Sequence, residues 1–246
     1  MSNIVKEKFG VTISCSVIRK YHLKLGFRFR RLRKSPKLTE IQKLQRLIWC
    51  MNYKDEDFNN YIFVDETSVI VFDKPLYHLR LRSSTPISVP CSSKHKSKVN
   101  VWGGISFKGP TLFAIFKSNM DSITYREKLA EYLIPFGAAK YDMNFKLHQD
   151  NDPKHNSSIC KEFLTKNSID WVKSPPNSPD LNPIEMVWSE MKRFIQSKLP
   201  KNENEVLEAI FEFQKSLTID KCQNYISHLK KVIQTVIDSN GEWSNY

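Results

Sequence analysis

Three acidic residues stand where chemistry could be built. Asp65 closes the short apolar run YIFVD (61–65), Asp150 closes NFKLHQD (144–150), and Glu185 heads the amphipathic run that follows SPPNSPDLNP (174–183). Short apolar runs of this kind read as buried strands. In open α/β sheets, ligands gather beyond the carboxyl ends of strands. If the first two strands are parallel neighbours, their carboxylates lie a few ångströms apart. At about 4 Å, two bare carboxylates repel by roughly 4 kcal/mol at an effective dielectric of 20. Such a placement calls for a proton or a cation, and an oxygen-only donor set suits magnesium or manganese.

Glu185 also has a plainer reading. Asn182 can cap a helix, Pro183 suits its first position, and Glu185 then falls third, where it can complete a capping box. Ile184, Val187, Trp188, Met191, Phe194 and Ile195 follow at helical spacing, which predicts one buried face. A cap accounts for Glu185 but not for the stiff run before it. At this level both readings stand.

The elements that must position these acids follow in the order βββαβαβα. YIFVD, VNVWGGISF (99–107) and TLFAIFK (111–117) read as strands, the last two joined by KGP. A helix over 123–135, a strand over 144–150, a helix over 157–166, the strand IDWVK (169–173) and a helix over 183–198 complete the order. This pattern predicts an α/β fold, a mixed sheet with helices packed on it. The polar, Ser-rich segment 73–98 reads as a surface loop.

The chain has 246 residues, 40% of them hydrophobic, and a formal net charge of +12. That length suits one sizeable domain plus appendages. Residues 1–46 hold 13 Lys and Arg against only Glu7 and Glu40, whereas the other 200 residues hold 25 basic and 24 acidic groups. A basic head on a nearly neutral body is the footprint of a nucleic-acid-binding arm. Within it, residues 2–9 read as a helix ended by Gly10, and Ser14 or Ser16 caps a second helix to Leu25. Val17, Ile18, Tyr21 and Leu25 form an apolar face, with Arg19, Lys20, His22 and Lys24 turned elsewhere toward DNA. RFRRLRKSPK (28–37) follows, a solvated linker or a stretch whose Arg28, Arg30, Arg31, Arg33 and Lys34 track phosphates, enter a minor groove or act as a nuclear address. Thr39 and Gln42 predict a capping box opening a helix to Tyr53. Five scattered cysteines without a CxxC suggest neither a zinc site nor a disulfide framework. No apolar run approaches membrane-spanning length, so no membrane partner is expected.

Four local words narrow the reading. VDET (64–67), VWGGIS (101–106), HQDNDPKHN (148–156) and SPDLNPIEMVW (178–188), with 34 residues between Asp150 and Glu185, resemble in order and spacing the catalytic domain of Tc/mariner-type transposases of the DDE superfamily, in its Tc-like branch. The resemblance implies a ribonuclease-H-like fold in which Asp65, Asp150 and Glu185 hold two Mg2+ or Mn2+ ions. It implies cut-and-paste chemistry on DNA, with hydrolysis at transposon ends, strand transfer into TA sites, assembly as a homodimer on DNA, and a nuclear location. The alternative is a catalytically silent DNA-binding remnant or repressor. Asn151 and His155 would support metal or phosphate, or simply close a loop, and Asn182 would shape the run before Glu185. Glu66 and Asp152 are expected to stand aside, and Trp102, Trp171 and Trp188 to sit in the core. The implied organisation is a partial helix-turn-helix over 1–33, a basic linker and helix over 34–59, the catalytic domain over 60–200 and a helical segment over 201–246. By the same resemblance the chain starts inside the second of two helix-turn-helix units, as if N-terminally truncated, and segment 73–98 occupies the place of a loop that clamps a partner subunit.

Deleting residues 1–37 is expected to weaken DNA binding and flatten its salt dependence, by about 0.9 in log–log slope for each phosphate no longer neutralised. Binding isotherms at several salt concentrations check this; an unchanged slope would remove the basic arm from the account.

Overall fold

The structure, a computed structural model, describes residues 2–28, 36–70 and 98–244. Arg30, Arg31, Arg33 and Lys34, and the segment 73–97, lie outside the described residues. The chain divides between Lys37 and Leu38 into two compact units.

The first unit carries helices α1 (Ser2–Phe9) and α2 (Cys15–Lys24). Gly10 ends α1 with a φ of +68°, which only glycine adopts freely, and the Ser14 side chain caps α2 by accepting from the Val17 amide. The apolar face of α2 does not form a core: Val17, Tyr21 and Leu25 are exposed and no residue of the helix is buried. So few residues cannot enclose a core by themselves. Arg19, Lys20 and Lys24 are exposed, and His22 is half-buried against the edge of Phe27. Arg28 bonds the Leu23 and Phe27 carbonyls and so closes the end of α2.

The second unit begins with α3 (Glu40–Tyr53), opened by the Thr39–Gln42 capping box. The helix expected in the linker therefore belongs to the body. Next come β1 (Tyr61–Ile70), β2 (Lys98–Ser106), β3 (Gly109–Pro110) and β4 (Ala114–Phe116). KGP is thus not merely a joint, since two of its residues pair with β2 and make a fourth strand in this run. Helix α4 (Ser122–Lys128) continues through a π-helical turn (Leu129–Leu133) into α5 (Ile134–Tyr141), past the expected end at 135. Strand β5 (Lys146–Gln149), α6 (Ser158–Lys166), β6 (Asp170–Lys173), a 3-10 turn (Pro179–Leu181), α7 (Ile184–Lys198), α8 (Glu203–Ser216) and α9 (Ile219–Asp238) follow.

Among the described residues the sheet runs β3–β2–β1–β5–β6, with β4 also paired to β2. β1 is antiparallel to β2 and parallel to β5, and β5 is parallel to β6. Side chains alternate across β1, as a pleated strand requires. Tyr61 and Phe63 enter a core with α3, α7, α8 and α9, where Trp49, Trp188, Phe213 and Ile226 are buried. Ile62 and Val64 enter the opposite core with α4–α6, where Trp102, Tyr125, Leu129 and Leu164 are buried. Trp102 and Trp188 are core as expected, and Trp171 is partly buried against the second core.

One polar tie crosses the first core. Arg46 on α3 has no exposed surface and forks onto Asp180 at 2.7 and 2.8 Å. Its remaining donors reach the Gly241 and Glu242 carbonyls at 2.9 and 3.1 Å. Asp180 also accepts from the Ser244 amide and hydroxyl. Gly241 permits this closure, because at its φ of +86° a Cβ would stand 2.1 Å from the Lys43 carbonyl oxygen. Replacing Arg46 by Met should cost about 3–5 kcal/mol, the range for leaving one partner of a buried ion pair uncompensated. Urea unfolding checks this, and Asp180→Asn in the same chain should restore part of the loss.

Candidate active site

The fold brings the three acids to one cavity of about 340 Å³, which Asp65, Asp150 and Glu185 line together with Asn151, Ser174 and Asn182. Asp65 is not at a strand end: β1 runs five residues further. Parallel pairing with β5 stops at Phe63 opposite His148, however, so Asp65 lies just beyond the ladder, and Asp150 directly follows β5. The expectation of parallel neighbours holds, although the strand end itself is misplaced.

Glu185 arrives on the first turn of α7. Asn182 is buried and donates to the Val64 carbonyl at 3.3 Å, tying the start of α7 to the residue before Asp65. Gly103, directly across β1–β2 from Asp65, makes room for this approach. A Cβ there would meet Phe113 at 2.5 Å and Trp188 at 3.1 Å, so the bare backbone lets α7 settle on the sheet one turn past Glu185. The capping box is not made. Asn182 Oδ1 accepts from the Ile184 amide at 3.4 Å and so serves the start of the helix, but the Glu185 side chain turns to the cavity beside Asp65 and does not complete the box.

Two of the acids resist ionisation. Burial, then the neighbouring Glu185, Glu66 and Asp150, hold the Asp65 pKa well above the carboxylate range. Burial also raises Glu185, against a partial opposing pull from Lys192 and the bond to Asp65. One proton between them relieves the like-charge contact. Asp150 behaves in the opposite way. Burial would raise it, but His155, the Asp152 amide and Lys154 outweigh burial and leave it lowered.

The turn after Asp150 supplies that support. His155 is 2% exposed, with Nδ1 2.6 Å from Asp150 and Nε2 3.1 Å from Glu66. Burial opposes its charge, but the two carboxylates prevail and hold the imidazole at about 9. The Tyr125 ring lies on it, centroids 3.9 Å apart. Lys154 also pairs with Glu66, at 3.3 Å. Glu66 does point away from Asp65, but it is not a bystander, contrary to expectation. Asp152 closes the turn by bonding Lys154. The Asn151 side chain donates to the Ser174 carbonyl and joins this turn to the proline run.

The donor set fits a hard divalent cation. Among the described residues no three His, Cys, Asp or Glu side chains converge closely enough to enclose a single ion. A cation here would therefore be held by a pair of carboxylates, with water or phosphate oxygens filling the rest of its shell, as magnesium favours. Burial and like charge disfavour ionisation of Asp65, and burial that of Glu185, so both stand where positive charge is favourable.

The signature of the DDE superfamily endonuclease family spans residues 60–207. Over 99% of its length the chain is 26% identical to the transposable element Tcb2 transposase of Caenorhabditis briggsae, covering 92% of that protein. Its fold is similar to that of the Mos1 mariner paired end complex with Mn, with a TM-score of 0.78 at 16% identity over 99% of this chain and 75% of the other. It is also similar to the catalytic domain of Mos1 mariner transposase, with a TM-score of 0.66 at 16% identity, covering 87% of this chain and all of that domain.

Glu185→Gln removes a like charge and keeps the shape. It should raise the melting temperature of the metal-free protein by about 3 °C, the shift that about 1 kcal/mol produces in a chain of this size. It should also abolish the further rise that Mn2+ gives the parent. A variant that still responds fully to Mn2+ would return Glu185 to a helix-start role, which Gln can also fill.

Proposed function

The chain belongs to the DDE superfamily endonuclease family, and on that footing we propose that it is a cut-and-paste DNA transposase of Tc type, with Asp65, Asp150 and Glu185 as its catalytic, metal-holding residues. The observation that carries this is the meeting of three carboxylates, 34 residues or more apart in sequence, on one cavity beside the sheet. The cofactor is a pair of Mg2+ or Mn2+ ions, which when bound activates the attacking oxygen and stabilises the leaving one.

The residues divide the work. Asp150 is kept ionised by His155 and the Asp152 amide, ready to hold positive charge at neutral pH. Positive charge bound beside Asp65 and Glu185 would favour their ionised forms. Asn182 fixes the distance between β1 and α7, and with it the separation of those two carboxylates. Among the described residues no cysteine lines the cavity, and burial pushes the thiols of Cys50 and Cys222 up to about 12. By likeness to the family's cut-and-paste chemistry, the attackers are water in the first step and the freed DNA 3′-hydroxyl in the second, without a covalent enzyme intermediate. The substrate is DNA, namely transposon ends and a TA-containing target, engaged in part by the basic residues up to Lys37. Because two ends must be joined to one target, the working form is a homodimer assembled on DNA, and the place of action is the nucleus.

The test is a cleavage and strand-transfer assay with purified chain, a duplex rich in TA steps and Mn2+. Asp150→Asn should lower the rate by more than about 100-fold, the scale on which removing one transition-state-stabilising group acts, while DNA affinity stays unchanged. Parental cutting by the variant would remove Asp150 from the chemistry. Binding without cutting by the parent would leave a DNA-binding remnant.

A further inference from the structure

Glu66 sits beside a catalytic candidate yet opens onto a different cavity. Asp65 lines the recess shared with Asp150 and Glu185, whereas Glu66 lines a separate one with Ser68, Lys98, Asn100 and Lys154. From that side Glu66 meets the turn that follows Asp150 at two points: His155 Nε2 at 3.1 Å and Lys154 Nζ at 3.3 Å. The same imidazole lies 2.6 Å from Asp150 through its other nitrogen. Its rotation is further restricted by the Tyr125 ring 3.9 Å away, and the Tyr125 hydroxyl is itself fixed at 2.7 Å on Gln149, the residue before Asp150. Backbone bonds from the His155 and Asn156 amides to the Asp152 carbonyl close the turn internally.

We propose that Glu66 is a positioning residue for Asp150, acting through His155, so that β1 supplies both a carboxylate facing the cavity and the brace that sets the direction of the second carboxylate. The proposal rests on the reading of Asp150 as a metal-holding residue. The His155 ring is hydrogen-bonded to Glu66 and in close ion-pair contact with Asp150, and an outer partner of this kind fixes the ring's orientation. Removing Glu66 frees the ring and lets the Asp150 carboxyl swing, although Asp150 itself is untouched. Lys154 alone cannot replace this, because it is a flexible point charge that also serves Asp152 at 2.6 Å.

The experiment titrates Mn2+ against the full chain and its Glu66→Gln and Glu66→Ala variants, read as melting temperature and as heat of binding, with cleavage at each Mn2+ concentration alongside. The isosteric Glu66→Gln guards against misfolding. The half-saturating Mn2+ concentration should rise about 10- to 100-fold in Glu66→Ala, the usual effect of losing an outer-shell partner, and less in Glu66→Gln, which retains an acceptor. Cleavage should recover as Mn2+ is raised. Variants that merely melt earlier, with the Mn2+ midpoint unmoved, would overturn the proposal and make Glu66 a structural ion-pair member. A parent that takes up no Mn2+ would overturn the metal reading of Asp150 itself, and this proposal with it.

Discussion

Like charge held close is the constraint around which the body is built. Asp65, Asp150 and Glu185 face one cavity, and two of them carry raised pKa values because burial and mutual repulsion penalise ionisation. Left to themselves they would move apart or recruit cations from the chain. The fold prevents the first by placing each acid on a different rigid element: a central strand, the turn sealed to its parallel neighbour, and the first turn of a helix whose apolar face is locked in the core. The second it uses only in part, through His155 and Lys154 at Asp150 and Lys192 near Glu185. The cost of the cluster is offset elsewhere, by two apolar cores that cover both faces of the sheet. Such local strain against stability is common where function needs it.

The stiff run before Glu185 has its explanation in this constraint. Its prolines limit the backbone, but the position of the run is set from outside. Asp180 is forked by Arg46 of α3 and bonded by Ser244, Asn182 is tied to Val64, and the Ser174 amide continues from the Gln149 carbonyl. A preformed, externally anchored approach leaves α7 little freedom to slide, so Glu185 stays on the cavity with Asp65 without completing a capping box. Gly103 completes the arrangement from the sheet side by letting Trp188 come close.

What was legible in the sequence is what local physics decides. The caps at Thr39 and Ser14 and the helices around 158–166 and 184–198 follow from short-range patterns, and the meeting of Asp65 with Asp150 from the expected parallel pairing of their strands, although Asp65 is not at a strand end. What was not legible depends on partners far away in the chain. The capping box at Glu185 has a sound local signature, and Asn182 does bond the start of the helix, yet the Glu185 side chain turns to the cavity it shares with Asp65. The Arg46–Asp180 fork spans 134 positions and Glu66–His155 spans 89, and neither leaves a periodic trace. The run DETSVI looked like the end of a strand because its polar residues break the apolar run, but pairing with β2 carries the strand through to Ile70.

The pair Asp65–Glu66 shows why adjacent acids need not share a role. In a strand, successive side chains leave opposite faces. One acid of the pair must therefore face the cavity and the other must face away, whatever their chemistry. A partly buried acid turned from the cavity is better held with a partner of its own, and the turn after Asp150 brings Lys154 and His155 to it. That same turn also carries Asp150, so satisfying Glu66 on the far face fixes the near one. The pleat thus couples two carboxylates that never touch: moving one of its acids disturbs the other face of the site through the His155 ring rather than through the backbone.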